Sequence, residues 1–413
     1  MDDDRLLEAL DKHLKRPERV VALQTALTAC KAMGPENGGR GEMEKARLIA
    51  GWLKDFGLDD LCWENAPDTR VPDGARPNLV AVLPGRSDRK LWLFGHMDVV
   101  PPGDLAAWTS DPWQVRQEGD RLYGRGVVDN QQAIISMLLL AKELRAQKIA
   151  PSLSLGLVFM SDEECGSDYG LGHLLAHSRE LFRADDLYIV PDSGSPRGDI
   201  IEVAEKGQLW LQVRVTGKQC HAAWPHEGRN AFLAGADMAL SCHKRLHAAF
   251  PEEDPLFDPP GSTFVPSKHE ANVPNINTVP GSDVFYMDCR LLPGISAGAA
   301  LEEARNIAAR TARRWGVAID VRVEREQASS ASPLSCPVVT LLTDAVERVH
   351  NVRPKPVGIG GATVAALLRH KGLHAVVWST LESTCHQPDE YCSISATVKD
   401  AQVFARILMC DHA

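Results

Sequence analysis

A chain of 413 residues, 44% of them hydrophobic and 24% charged, is long enough for two ordinary domains, each with its own core. The formal net charge of −10 argues against nucleic acid or an anionic membrane as a partner. No apolar run approaches the ~18 residues of a membrane span, and the acidic start MDDDRLLEALDKHLKR is unlike a secretory signal. The ten cysteines form no CxxC pair, so reduced thiols and a cytoplasmic location are predicted.

The first half of the chain predicts an α/β arrangement. Residues 1–56 have apolar spacing near 3.6 and predict helices, the last of which ends at Gly57. From about residue 78, the strand-length apolar runs NLVAVLP, KLWLFGHMD, SLSLGLVFMSDEE and DDLYIVPDSG follow, with the helix NQQAIISMLLLAKELRAQ between the second and third. Apolar strands separated by a helix predict a mostly parallel sheet that is covered on both faces.

The segment 206–324 has a different order of elements. It predicts the strand GQLWLQVRVTG, a long helix from Gly228, strands around INTVP and DVFYMDCRLL, the helix AGAALEEARNIAARTARRWG and the strand VAIDVRVERE. This βαββαβ order is typical of a small open-faced sandwich. Helices near 337–350 and 362–371 and the strand LHAVVWS then resume the α/β pattern. We therefore predict a catalytic α/β domain in two pieces, 1–205 and 325–413, with a smaller domain of residues 206–324 inserted.

Acids and imidazoles follow the ends of four predicted strands. They are His96 and Asp98, the run Asp162 to Glu164, Asp192, and His386 in the loop after LHAVVWS. In open α/β sheets, sites form outside the carboxyl ends of the strands, so we expect these side chains to meet at one edge. Any one of them alone is better explained as a helix cap, a loop residue or a hydrogen-bonded core residue. Their coincidence at successive strand ends indicates a site.

The residue types at these strand ends indicate a metal. Imidazoles with carboxylates, and no matched set of thiolates, suit zinc, with cobalt and manganese as alternatives. The acids outnumber what one tetrahedral zinc ion needs, which favours two ions about 3.5–4 Å apart that share a carboxylate. Asp129, in the glycine-bounded loop GRGVVDN, is the candidate for the shared ligand. No GxSxG motif of a serine hydrolase occurs in the sequence. The glycine-rich GIGGAT lacks the other residues of a phosphate-binding loop, so no motif indicates nucleotide binding.

From about residue 78 to its end, the chain resembles a family of dinuclear zinc exopeptidases and deacylases. That family includes aminoacylase, glutamate carboxypeptidase, acetylornithine deacetylase and succinyl-diaminopimelate desuccinylase. The resemblance rests on ordered motifs: GHMDVVPPGD, WTSDPW, LYGRGVVD, SDEECGS, VPDSG, HAAWPHEGRNA, NTVP and CHQPDE. It implies a zinc-exopeptidase-like catalytic domain with an inserted lid and dimerisation domain.

The resemblance also implies roles for individual residues around two zinc ions. The ligand set would be His96 and Asp192 on one ion, Glu164 and His386 on the other, and Asp129 as the bridge. Asp98 would accept a hydrogen bond from His96 and fix its tautomer. Glu163 would take the proton from the attacking water and return it to the leaving amine. The peptide bond after Asp129 would be cis.

For the inserted domain, the resemblance implies residues that contact the substrate. His221 would support the tetrahedral oxyanion, reaching the site of a partner subunit in a homodimer formed through residues 206–324. Asn277 and Arg290 would hold substrate groups, commonly a carboxylate, for which a guanidinium is well shaped. Gly361, in the paired-glycine turn, would also line the substrate site.

These inferences predict a metal-dependent hydrolase that cleaves the amide bond of a small, anionic N-acyl amino acid or short peptide. A deacylase or desuccinylase and a di- or tripeptidase or carboxypeptidase are the close alternatives, and a non-catalytic relative that binds a carboxylate ligand is the third. Three departures from the family pattern leave the acyl or side-chain pocket open. Gly360-Gly361-Ala362-Thr363-Val364 stands where many members have a Thr-Asp after paired glycines. Asn130-Gln131-Gln132 replaces the commoner Lys-Gly pattern, and Glu205-Lys206-Gly207-Gln208 stands where bacterial desuccinylases carry an arginine-rich turn.

Overall fold

The computed structural model describes residues 2–361 and 363–410 of the chain. These residues form two units. The first contains residues 2–203, 332–356 and 363–410, and the second contains residues 204–331 and 357–361. Assigning the first unit as the catalytic domain and the second as a lid remains a prediction.

Both units contain helices as well as strands. The α-helices are α1 Asp2–Lys15, α2 Glu18–Ala29, α3 Met43–Asp55, α4 Gln131–Ala146, α5 Leu171–His177, α6 Ala231–Ala249, α7 Ala297–Trp315, α8 Pro337–His350, α9 Ala365–His370 and α10 Ile394–Leu408. The strands are β1 Leu61–Trp63, β2 Ala66–Pro67, β3 Ala75–Arg76, β4 Leu79–Leu83, β5 Lys90–His96, β6 Arg116–Glu118, β7 Arg121–Tyr123, β8 Ser154–Met160, β9 Leu187–Gly194, β10 Ile200–Glu205, β11 Gly207–Thr216, β12 Cys220–His221, β13 Thr263–His269, β14 Thr278–Val279, β15 Ser282–Leu291, β16 Ala318–Gln327, β17 Ser330–Ala331, β18 Lys355–Ile359, β19 Ala375–Ser379 and β20 Tyr391–Ser393.

The first unit is built on a sheet with strand order β1-β4-β8-β5-β9-β19-β10. The central strands β8, β5, β9 and β19 run parallel, and antiparallel strands flank them. All residues of β8 are buried, and Trp92, Phe94 and Tyr188 contribute to the core. The continuous apolar runs of these strands follow from burial on both faces. The predicted α/β fold with a central, mostly parallel sheet is confirmed.

The second unit has a four-stranded antiparallel sheet in the order β13-β15-β11-β16, with helices α6 and α7 packed on it. One expectation was wrong in detail. The strand around INTVP, β14, pairs with β12 in a two-stranded ribbon, and the unpredicted strand β13 takes the edge of the sheet. Pro266 and polar neighbours give β13 the composition of a loop, and its register shifts between Pro266 and Lys268. Proline is tolerated in a sheet at such an edge.

The described chain has no helix that is both long and apolar enough to cross a membrane. All ten cysteines carry free thiols. Half of the cysteines are buried: Cys30, Cys242, Cys289, Cys336 and Cys392. Buried thiols behave as small apolar side chains, which is consistent with their positions in helices, strands and their ends.

Candidate metal centre

The ends of three neighbouring parallel strands supply most of the predicted metal ligands. His96 is the last residue of β5 and pairs with Met160 at the end of β8, from which the chain continues to Glu163 and Glu164. Asp192 lies in β9, on the other side of β5. Because parallel strands end at the same edge of a sheet, this register brings the imidazole and the acids together.

Asp129 lies between two imidazoles. Its Oδ1 atom is 2.9 Å from Nε2 of His96, and its Oδ2 atom is 3.0 Å from Nε2 of His386. On the His96 side, Oδ1 of Asp192 is 3.4 Å from Nε2. On the His386 side, Oε2 of Glu164 is 3.1 Å from Nε2. The structure therefore brings all five predicted ligand side chains together, as two histidine–carboxylate pairs that share Asp129.

A similar cluster lies next to the acid turn, residues 162–164, and an arginine occupies it. Glu36, Asp162 and Cys165 also have potential ligand atoms within 4.8 Å of one another. Nη1 of Arg76, however, lies 3.5 Å from the Asp162 carboxylate and 3.7 Å from that of Glu36. The guanidinium already neutralises this cluster, so it is not a second metal site.

The electrostatics of the Asp129 cluster fit divalent cations. Burial alone would lower the pKa of His96, but the carboxylates of Asp192 and Asp129 outweigh burial and raise this pKa well above its ordinary value. Hydrogen bonds to Asp129 and Glu164 raise the pKa of His386 to about 10. Imidazoles that hold protons this strongly show that positive charge is favoured between the carboxylates. A divalent cation bound to the neutral imidazoles supplies that charge.

Asp98 has a broader role than the sequence predicted. Nδ1 of His96 lies 3.0 Å from the backbone oxygen of Asp98 and 3.4 Å from its carboxylate. The carboxylate also accepts the backbone N–H groups of Glu163 at 3.1 Å and Glu164 at 3.0 Å. The carbonyl of Asp98 thus fixes the tautomer that leaves Nε2 of His96 free for a metal, and its carboxylate fixes the acid turn.

Glu163 lies against the His96 and Asp192 side of the cluster. Ligand-type atoms of these three residues lie within 4.8 Å of one another. Burial, followed by the neighbouring Asp192 carboxylate, raises the pKa of Glu163 well above its ordinary value. A carboxyl group with a raised pKa can both accept and return a proton near neutral pH. Its environment therefore suits the predicted exchange of a proton.

Sequence reasoning missed Glu390, which holds the loop that carries Asp129. Its fully buried carboxylate accepts the backbone N–H groups of Gly126, Val128 and Asp129 at 3.0, 3.0 and 3.2 Å. The same carboxylate accepts a bond from Arg125 at 2.5 Å. Glu390 follows His386 by four residues, so one short segment both supplies a predicted ligand and positions the bridging one. Its place in the motif CHQPDE was the only signal in the sequence.

The three residues after Asp129 also form hydrogen bonds within the first unit. The Asp129–Asn130 peptide is cis, as expected from the resemblance. The Asn130 amide donates to the Asp192 carboxylate at 2.6 Å, so it positions a predicted ligand. Gln131 accepts bonds from α2, and Gln132 donates to Asp400 in α10. Both glutamines are buried, so this departure from the family pattern serves packing around α4.

Two predicted substrate residues lie on an exposed ribbon of the second unit. His221 is in β12, and the backbone oxygen of Asn277 accepts the N–H of Ala222 at 2.8 Å. Nδ1 of His221 accepts the N–H of Ala223 at 3.1 Å. The neutral ring therefore carries its proton on Nε2, where it is available to an oxyanion.

The other two predicted substrate residues lie where β15 meets residues 357–361. Asp288 holds Arg290 through bonds of 2.7 Å to Nε and 2.9 Å to Nη2. Nη1 of Arg290 donates to the backbone oxygen of Gly360 at 2.9 Å, next to the exposed Gly361. This arrangement uses three of the five guanidinium donors and fixes the direction of the other two. The role of all four residues in binding substrate remains a prediction.

Known proteins resemble this chain both in sequence and in fold. The family model described as Peptidase family M20/M25/M40 matches residues 92–409. An uncharacterized metallohydrolase of Methanocaldococcus jannaschii is 35% identical over 406 residues, which cover 95% of this chain and 99% of that protein. A succinyl-diaminopimelate desuccinylase of Gluconobacter oxydans is 28% identical, with 91% and 92% covered. The crystal structure of aminopeptidase PepT from Bacillus cereus has the same fold, with a TM-score of 0.76 at 20% identity and coverages of 95% and 98%.

Proposed function

The chain belongs to peptidase family M20/M25/M40 and is a metallohydrolase of amide bonds, and we propose that it cleaves a small N-acyl amino acid or short peptide beside a free carboxylate. The observation that carries the proposal is the contact of each Asp129 oxygen with a different imidazole. A carboxylate in that position can bridge two metal ions, which is how dinuclear hydrolases share one ligand.

The proposed cofactor is a pair of divalent ions, zinc first, with cobalt or manganese as alternatives. The ligands would be His96, Asp192, Glu164, His386 and the bridging Asp129. When bound, the ions lower the pKa of water and polarise the scissile carbonyl. Three carboxylate charges against four positive charges leave a net positive site, which favours an anionic substrate.

Protein side chains would carry the proton and the developing charge. Glu163 would accept the proton of the attacking water and deliver it to the amine nitrogen as the C–N bond breaks. His221, with its proton on Nε2, would donate a hydrogen bond to the oxyanion. Arg290, pre-oriented by Asp288, would bind the substrate carboxylate with its remaining donors. Asn277 and Gly361 would complete the substrate contacts.

One observation weighs against a succinyl substrate and leaves peptidase activity as the second candidate. Lys206 is the cation of the turn where bacterial desuccinylases carry arginines, and its Nζ atom donates to the backbone oxygens of Pro259 and Gly261 at 2.7 and 2.5 Å. A lysine engaged in this way is poorly placed to bind the second carboxylate of a succinyl group. An uncharged acyl group or an amino-acid residue therefore fits this turn better.

A substrate panel tests the proposal. Metal-loaded protein should hydrolyse N-acetyl amino acids or dipeptides faster than N-succinyl compounds, and a substrate whose free carboxylate is amidated should react poorly. Preference for N-succinyl substrates would overturn the inference from Lys206. Tight binding of these compounds without metal-stimulated turnover would overturn the proposed activity and support the non-catalytic alternative.

We also propose that the protein is a homodimer formed through the second unit. Its α6 exposes Phe232, Leu233 and Leu240, and β13 forms an edge of the sheet on which α6 packs. A cavity of about 310 Å³ lies between α6 and the sheet. A second copy would cover this apolar face by two-fold symmetry. The molar mass from light scattering should be that of a dimer for the wild type and that of a monomer for Leu240→Lys. Leu334 is an exposed leucine of the first unit, so Leu334→Lys is the control and should remain a dimer. A monomeric wild type would contradict the proposal.

A cytoplasmic location belongs to the same proposal. Ten free thiols suit a reducing compartment, in which such side chains stay unpaired. Cell fractionation followed by thiol labelling should recover reduced protein with the cytoplasm. Recovery from an oxidising compartment with disulfides formed would contradict it.

A further inference from the structure

A cavity in the first unit gathers positive side chains at the start of helix α3. Its volume is about 430 Å³, and its charged lining residues are Lys31, Arg40, Lys45, Arg47, Glu44 and Asp73. Four cations against two acids leave a surplus of two positive charges, in a chain whose formal net charge is −10. None of these residues belongs to the proposed metal centre.

Lys45 is the side chain that most requires a partner in this cavity. It is fully buried, and its Nζ atom has no hydrogen-bond partner among the described residues. Burial lowers the pKa of Lys45 to about 8, although Cys30, Asp98 and Glu42 act in the opposite direction. A buried ammonium group without hydrogen bonds destabilises the folded state, so a bound anion would complete this site.

The first turn of α3 faces the same cavity. Met43, Glu44 and Lys45 form this turn and line the cavity wall. The N-cap residue Glu42 makes no side-chain cap bond, because its carboxylate accepts a bond from Nε of Arg76 at 2.7 Å. Unsatisfied N–H groups and the helix dipole make the N-terminus of such a 13-residue helix attractive to anions.

The other positively charged residues of the cavity differ in whether they already contact a protein group. Arg47 forms an ion pair with Asp73 at 2.7 Å, and Lys31 lies over the ring of Trp113 at 5.4 Å. Arg40 is exposed and forms no ion pair with another described residue. Arg40 and Lys45 are therefore the two cations that remain for a ligand.

We propose that this cavity binds a small, doubly charged tetrahedral oxyanion, a phosphate group either free or carried by a small molecule, between the first turn of α3, Lys45 and Arg40. The charge surplus of two matches such a group. The cavity is larger than a bare oxyanion, which favours a phosphate ester with a small organic body. The site lies close behind the metal centre, since Ala32 in its wall accepts the N–H of Val99, next to Asp98, at 3.1 Å.

Selenate tests the position of the site directly. Crystals of the metal-loaded protein soaked in selenate, a sulfate isostere, should show an anomalous selenium peak at the first turn of α3. A peak at the metal centre alone, or none, would overturn the proposal. Locating the atom separates this site from any anion that binds the metals.

Solution binding tests the residues. Calorimetry with sulfate, at ionic strength held constant with chloride, should show binding that weakens at least ~10-fold in Lys45→Met and Arg40→Gln, because each loses one charged hydrogen bond. Lys54→Met, at the other end of α3, is the matched control and should bind like the wild type. Since Lys45→Met replaces an unpartnered buried ammonium with an apolar side chain of similar length, it should fold at least as stably as the wild type without anion.

A second ligand identifies the source of the oxyanion. Glycerol phosphate that binds more tightly than sulfate at the same residues would indicate a phosphate ester as the ligand, and equal binding would indicate the free anion. Unchanged sulfate binding in both Lys45→Met and Arg40→Gln would overturn the site.

Discussion

The residues proposed to bind metal and those proposed to bind substrate are held by the chain in different ways. In the first unit, the buried carboxylates of Asp98 and Glu390 accept backbone N–H groups from the turns that carry Glu164 and Asp129. In the second unit, His221 is exposed on a two-residue strand. Metal ligands must keep fixed distances to one another before the metal arrives, whereas a group that contacts a transient oxyanion can be oriented when the substrate binds.

The largest expected effect is at Glu163. Replacing it with Ala should lower kcat by about 10²–10⁴-fold, because proton transfer would lose its carboxyl group. The bound metal should stay, because Glu163 is proposed to serve the water and not the ions. Glu164→Ala is the matched comparison and should lose metal as well as activity. Loss of both ions from Glu163→Ala would mean that the two neighbouring acids have exchanged roles.

The next effect is at His221. His221→Ala should lower kcat by about 10²–10³-fold through the loss of an oxyanion donor, with metal content unchanged. His226→Ala, an exposed histidine of the same segment, is the control and should keep full activity.

Mixing two inactive variants asks whether His221 acts across the proposed dimer. A heterodimer of Glu163→Ala with His221→Ala would then contain one site with both defects and one with neither. Activity should reappear on mixing. Heterodimers that form and stay inactive would place His221 in the site of its own chain.

A smaller effect on metal binding is expected at Glu390. It separates a residue that positions a metal ligand from one that only stabilises the fold. Glu390→Gln keeps the shape of the side chain but replaces an accepting oxygen with an amide nitrogen, so the Asp129 loop should shift. Metal affinity should fall about 10–100-fold, as for other residues that orient a ligand. Asp186→Asn alters another buried carboxylate, which accepts bonds from Trp92 and from the N–H of Lys90 at the opposite end of β5. It should lose stability without losing metal affinity, and equal metal affinities in the two variants would contradict the role of Glu390.

The smallest effect is a pH dependence of the metal-free protein. The pKa of His386 is raised to about 10 by Asp129 and Glu164, above the ordinary value of 6.5. Its contribution to stability is therefore complete below about pH 6.5 and is lost as the pH rises through 10. The pKa of Lys45 is lowered to about 8, so this lysine makes the folded state more stable as the pH rises. The variant His386→Gln keeps Lys45 and is therefore the reference. From pH 7 to 10, the unfolding temperature of the wild type should fall relative to that of His386→Gln, and parallel curves would contradict this origin of the shift.

The part of the site that the sequence predicted is the part set by strand register. His96, Glu164 and Asp192 come together because β5, β8 and β9 are neighbouring parallel strands, and apolar runs ending in acids are visible in a sequence. The ribbon of β12 and β14 was less visible, since its strands have only two residues each.

The parts that were missed depend on contacts between distant residues. Glu390 bonds to N–H groups more than 260 positions earlier in the chain, and nothing local distinguishes it from an exposed loop acid. Asn130 was noted as a departure from the family pattern, but its bond to Asp192 depends on how α4 meets β9. The carboxylate of Asp98 was expected from the resemblance to contact His96, but its two bonds to the turn after β8 were not visible in the sequence.

Metal stoichiometry tests the central claim most directly, because the sharing of Asp129 requires two ions. Metal-free protein should be titrated with zinc while amide hydrolysis and bound metal, by elemental analysis, are measured on the same samples. We predict that both saturate together at two ions per chain and that Asp129→Asn saturates at fewer ions with little activity. Full activity at one ion per chain would contradict the bridged centre.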